Sequence, residues 1–312
     1  MKILVAYDGS QCSESALDDL NRAGLPAKGE AVLITVAEVW LPPPSSTSDP
    51  DIDPYIEAAV KKFREKGKRL LNEAEMLADH AAARLRNILP GWKTGTCVTY
   101  GSPAWEIIAK AEEFKPDLIV VGSHGQSALS RFVLGSISQK VLTESAASVR
   151  VARGRNEVDP ASERIIVGYD GSVGADKAIA AVAGRKWSAG AEAQVISAMD
   201  PVVPTSIGRF ISPVAEWAEE ESKNDHKWIA DLGSKAAKKL ESAGLNVIHR
   251  IVEGNPKEEL VREAENWHAD CIFVGATASE TRLDRLLLGS TAAAVAARAH
   301  CSVEVVRGNS QQ

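Results

Sequence analysis

The sequence is poor in aromatic residues, at 5% of the chain, and its four cysteines, Cys12, Cys97, Cys271 and Cys301, form no C-x-x-C pair. Thiols scattered in this way indicate neither a zinc site nor a disulfide framework, and they fit a reduced cytoplasmic setting. No apolar run is long enough to span a bilayer, so no membrane partner is expected. The opening segment Met1 to Asp8 reads as a strand that starts at once rather than as a signal peptide. Basic blocks are missing too: the formal charge is -6, and the Lys/Arg-rich stretch from Lys61 to Arg69 has a helical pattern. Nucleic acid is therefore not an expected partner. The chain has no Gly-x4-Gly-Lys-[Ser/Thr] loop, and no Gly-x-Gly-x-x-Gly follows a first strand. Efficient ATP turnover and dinucleotide binding are not supported.

What is present is a repeat. The 312 residues suffice for two domains of ordinary size, with 45% hydrophobic and 25% charged residues as in a globular protein. Ile3 to Ser10, ILVAYDGS, recurs as Ile165 to Ser172, IIVGYDGS, and each copy leads into an alanine-rich helical pattern. Gly101-Ser102-Pro103, a helix and then Asp117 to Gly122 recur as Gly254-Asn255-Pro256, a helix and Asp270 to Gly275. Two domains follow, 1–153 and 163–308, joined by a polar linker at 154–162 that Gly154 and Pro160 interrupt. Short apolar runs such as Val32 to Val36 alternate with longer amphipathic stretches, the pattern of parallel strands covered by helices on both faces. The fold class is α/β, two tandem doubly wound parallel-sheet domains. Long charged helices are expected over about 54–86 and 213–242, each after a proline-rich passage. Trp105 and Trp187 read as helix packing.

In such a sheet, ligands bind beyond the carboxyl ends of the strands, where strand order reverses. After the fourth strand come Gly122, Ser123, His124 and Gly125, then Gly135 and Ser136 open a helix, followed by Ile137. Glycines let a backbone approach an anion closely, and a helix start favours phosphate. Ser136 combines the roles of N-cap and phosphate donor. Arg131 is as consistent with phosphate neutralisation as with a solvated surface arginine. His124 reads as an exposed, neutral hydrogen-bonding residue. Asp8 stands with Ala6 and Tyr7 at the end of the first strand, beside the same crevice, where a carboxylate can accept hydrogen bonds from a ribose or an adenine amine. The other histidines, His80, His226, His249, His268 and His300, lack metal-ligand spacing.

On these residues the first half resembles the universal stress protein family: Gly122, Gly125, Gly135 and Ser136 match its ATP-binding pattern Gly-x2-Gly-x9-Gly-[Ser/Thr]. The resemblance implies an adenine-nucleotide α-hydrolase-like fold with five strands per domain in the order 3-2-1-4-5. It also implies ATP with Mg2+ as ligand, Asp8 at the nucleoside, the Val36 backbone against the adenine, and a stress-response, regulatory role. A slow ATPase or nucleotidyl-transfer enzyme and a nucleotide-free, partner-binding scaffold stand as alternatives. The second half departs from the pattern. Ala278 replaces the second glycine, and Gly289-Ser290 comes one residue late, so its site is expected to be weaker or empty, with Asp170 a relic. Universal stress proteins commonly dimerise through their last strands. Here those strands carry Arg150 and Glu304, opposite charges that favour pairing within the chain, an intramolecular pseudo-dimer, over pairing of like strands. Whole chains can associate further as a homodimer.

Overall fold

Ten short strands form one sheet, and the local sequence explains why each half folds alike. The computed structural model describes residues 1–39, 54–124, 134–153, 162–199, 212–277 and 288–308. In the first half, β1 (Lys2–Ala6), β2 (Glu30–Ala37), β3 (Lys93–Tyr100), β4 (Leu118–Gly122) and β5 (Ser148–Ala152) alternate with α1 (Gln11–Asp19), α2 (Pro54–Ile88), α3 (Pro103–Phe114) and α4 (Ser136–Glu144). The second half repeats this with strands β6 (Arg164–Gly168), β7 (Glu192–Met199), β8 (Asn246–Glu253), β9 (Cys271–Gly275) and β10 (Ser302–Val306). Its helices are α5 (Val173–Ala183), α6 (Ser212–Ser242), α7 (Pro256–Asn266) and α8 (Ser290–Arg298). The sheet order is β3-β2-β1-β4-β5-β10-β9-β6-β7-β8, so each half has the order 3-2-1-4-5. Pairing within each half is parallel.

The turn after the first strand is built the same way twice. Gly9 and Gly171 take positive φ values of 76° and 78°, where a side chain is strained. Ser10 and Ser172 then cap α1 and α5 by accepting the N–H of Ser13 and Ala175, each at 3.2 Å. Prolines open α3 and α7, where the missing N–H costs nothing. The long helices run slightly past the expected bounds, to Ile88 in α2 and from Ser212 in α6.

Alternate residues of the buried strands feed opposite faces. On one face Leu4, Ile119 and Val149 pack with α3 and α4, and the same apolar cluster continues through Ile272 and Val303 to α7 and α8. On the other face Ile3, Val5 and Leu118 pack against α1 and α2, and separately Ile165 and Phe273 pack against α5 and α6. Of the two tryptophans, Trp187 meets the helix-packing expectation, donating Nε1–H to the Val182 carbonyl of α5 at 2.8 Å within the apolar cluster there, and Trp105 departs from it. Trp105 is 53% exposed on α3 with Lys140 Nζ 3.7 Å from its ring centre, and Trp187 lies beyond the end of α5, edge-on to Phe273.

The halves meet at the pairing of β5 with β10, which is antiparallel, with Arg150 opposite Glu304. Arg150 is fully buried, bonded to Asp19 on α1 at 2.5 Å and to Glu304 at 3.3 Å, and Arg185 also binds Glu304. Burial alone lowers the Arg150 pKa, but Asp19, Cys271 and Glu304 outweigh it and hold the guanidinium above its ordinary value. Further out, Arg22 pairs with Asp270 at 2.8 Å.

Candidate functional site

The crevice of the first half forms where β1 and β4 end and α4 begins. Tyr7 continues the ladder by donating its N–H to the Ile34 carbonyl at 2.9 Å. Its buried hydroxyl donates to Glu14, and burial followed by that carboxylate pushes its pKa well up, so the phenol stays protonated. Asp8 Oδ1 accepts the Ser10 N–H at 3.0 Å, which fixes its carboxylate at the turn. Ala6, Tyr7, Asp8, Val36, Gly122, His124 and Ile137 share the lining of a cavity of about 80 Å³. Sequence reasoning did not single out Ser13, Glu38, Ile107 or Ser138, which also line it. These come from neighbouring elements and belong to no local motif.

Two bonds tie the start of α4 to the end of β4. The Gly135 N–H donates to the Ser123 carbonyl at 2.8 Å, and Ser138 Oγ donates to the Gly122 carbonyl at 2.6 Å. The N-cap is Gly135 and Ser136 is the first helical residue, which corrects the N-cap role expected of Ser136. The Gly135 N–H is occupied, so the donors without an intrahelical acceptor are those of Ser136, Ile137 and Ser138. Gly122 has a second reason to lack a side chain: a Cβ there would stand 3.0 Å from the Cys12 backbone, where α1 crosses β4. Gly125 and Arg131 lie outside the described residues.

His124 is buried, at 9% exposure, which corrects the exposed position expected of it. Its Nδ1 lies 3.1 Å from Ser123 Oγ, and its Nε2 is buried with no hydrogen-bond partner among the described residues. Burial, with Arg153 nearby, holds its pKa below the ordinary histidine value, so the ring is neutral at pH 7.

The second half builds the same frame. Tyr169 donates its N–H to Ile196 and its hydroxyl to Asp176, and Asp170 Oδ1 accepts the Ser172 N–H at 2.9 Å. The Gly289 N–H donates to the Ala276 carbonyl at 2.6 Å, and its φ and ψ of -61° and 147° nearly equal the -62° and 150° of Gly135. The cavity of this second crevice is about 300 Å³. Ala278 lies outside the described residues.

Comparison with known proteins places this geometry in a family. The model of the universal stress protein family matches residues 1–153 and again 162–307. Universal stress protein YxiE of Bacillus subtilis is 32% identical over 154 residues, 49% of this chain and 98% of that protein. Universal stress protein MJ0531 of Methanocaldococcus jannaschii is 40% identical over 83 residues, 25% of this chain and 48% of that one. Among solved structures, a universal stress protein from Archaeoglobus fulgidus covers 100% of this chain and 97% of its own, with TM-score 0.60 and 22% identity, a likeness of fold.

Proposed function

Because the chain belongs to the universal stress protein family, with the family domain matched twice in tandem, we propose that it is a stress-response regulator that binds ATP in its first half. The supporting observation is the convergence on one crevice of the Asp8 carboxylate, the apolar wall at Ile34, Val36 and Val121, and the start of α4, where the N–H groups of Ile137 and Ser138 have no acceptor within the helix. Apolar walls suit a purine, Asp8 suits a nucleoside hydroxyl or amine, and helix-start amides suit phosphate oxygens. On this reading Gly122, Ser123, His124, Gly125, Gly135, Ser136 and Ile137 surround the phosphates, with Arg131 adding charge, and Ala6, Tyr7, Asp8 and Val36 surround the nucleoside. Mg2+ arrives with the phosphates: among the described residues no three His, Cys, Asp or Glu side chains gather to hold an ion by themselves. Binding through main-chain donors gives micromolar affinity, about -8 kcal/mol.

The reading extends to the whole chain: units 1–153 and 163–308, joined by 154–162, stay together in the cytoplasm as an intramolecular pair. The buried contact of Arg150 with Glu304 supports that pairing. Occupancy of the first crevice then biases the conformation presented to partners. Mass spectrometry of small molecules released on denaturing the purified protein tests the ligand. An adenine nucleotide is expected, and its absence even after incubation with ATP contradicts the proposal.

A further inference from the structure

The second half has the larger crevice, although its loop departs further from the family pattern. Ala6 opposite Ile34 and Gly168 opposite Ile196 hold equivalent register positions in the two halves, and the helix caps match Ser10 with Ser172 and Gly135 with Gly289. Carried along the walls, that correspondence shows six truncations. Ala6 becomes Gly168, Ser13 becomes Ala175, Val36 becomes Ala198, His124 becomes Thr277, Ile137 becomes Thr291 and Ser138 becomes Ala292. Each removes atoms from the wall, and the cavity grows from about 80 to about 300 Å³. The frame around it does not change. Gly9 and Gly171 share one φ, and Tyr169 and Asp170 hold the same hydrogen bonds to the chain as Tyr7 and Asp8. Protein interiors are close-packed, so six coordinated truncations on an intact frame mark space kept for something other than the protein.

The lining states what fits. Ile196, Leu260 and Val274 supply an apolar wall, while Asp170, Ser290 and Thr291 supply a carboxylate and two hydroxyls. The truncated positions line the space for the ligand's body. The loop that would hold phosphates is a residue longer than in the first half and has Ala278 for Gly125. A cavity near the lower bound for small-molecule pockets, with one wall apolar and the rim hydroxylated, suits a flat ring bearing hydroxyl groups.

We propose that the second half binds an uncharged, nucleoside-sized ligand, recognised by its ring and hydroxyls rather than by phosphates. This rests on the reading of the first crevice only in taking a nucleoside as the ligand's body. Equilibrium dialysis of the full chain with adenosine and, separately, with ATP tests it in three proteins: the wild type, a Gly135→Leu variant, and an Ala198→Val/Thr291→Ile double variant. The double variant installs residues that the first half carries at the same positions, so the fold accommodates them, and circular dichroism checks this. Adenosine binding is expected to fall about tenfold or more in the double variant and to persist in Gly135→Leu. No adenosine binding by the wild type, or equal binding by the filled variant, overturns the proposal. ATP lost from the double variant but kept by Gly135→Leu overturns it as well. Failure of the first-half reading looks different: ATP binds nowhere while adenosine still responds to the filled second crevice.

Discussion

His124 and Gly122 each serve packing and the crevice at once. His124 is neutral because burial and the nearby Arg153 disfavour its charge, and His249 is likewise held below its ordinary pKa by burial against Ser197 and α6. Unfolding frees both rings to bind protons near the usual value of about 6.5. Their stabilisation is therefore complete above that pH and is lost as pH falls through it towards their folded pKa values. Thermal unfolding should show a lower midpoint at pH 5.5 than at pH 7.5, and His249→Gln should narrow the gap. A midpoint independent of pH over that range contradicts the assignment. Gly122 and its counterpart Gly275 differ in tightness. An added Cβ would stand 3.0 Å from Cys12 backbone at the first and 2.3 Å from Gly174 backbone at the second. Overpacking of this kind costs about 1–3 kcal/mol, so urea unfolding should show Gly275→Ala as the more damaging of the two alanine substitutions. Equal costs would contradict it. These roles were not legible in the sequence, where a glycine after a strand looks the same whether it admits a ligand or a neighbouring helix.

Among the elements, the strands and the starts of α1 and α5 were the legible part. Continuous apolar runs such as Leu118 to Val121 require burial on both faces, and the repeated Asp-Gly-Ser turns set a capped helix after each first strand. The order 3-2-1-4-5 came from family resemblance, and the sheet has it in both halves. What local pattern could not supply was the partner of each element across the chain. Nothing near Ser138 in sequence says that its hydroxyl holds the Gly122 carbonyl at 2.6 Å and so fixes α4 to the tip of β4. Removing that tie should loosen the start of α4. Ser138→Ala should weaken ATP binding several-fold in a calorimetric titration while costing about 1 kcal/mol of stability in urea. Unchanged affinity would show that the tie does not position the site.

Across the whole molecule, the two halves share a charged seam as well as an apolar core. The side chains of Arg150, Asp19, Glu304 and Arg185 are buried together, and two arginines cross the seam in opposite senses. Arg153 donates to the Ala296 carbonyl of α8 at 2.6 Å, and Arg307 donates to the Leu142 carbonyl of α4 at 2.8 Å. Such a seam specifies partner and register more than it adds stability, because desolvation offsets most of the attraction. Removing one partner is different, since the remaining charge stays buried. Arg150→Ala should cost about 3–5 kcal/mol in urea unfolding. A cost below 1 kcal/mol would show that water reaches the seam. The sequence offered only the opposed charges of Arg150 and Glu304, whereas Asp19 and Arg185 reach them from distant parts of the chain.

The proposed function places ATP in the first crevice, held at the start of α4. Isothermal titration of ATP with Mg2+ into the wild type and into Gly135→Leu addresses it directly. One micromolar site per wild-type chain is expected, with a loss of about a hundredfold or more in the variant. A wild type that takes up no ATP, or a variant that binds it with unchanged affinity, would contradict the claim.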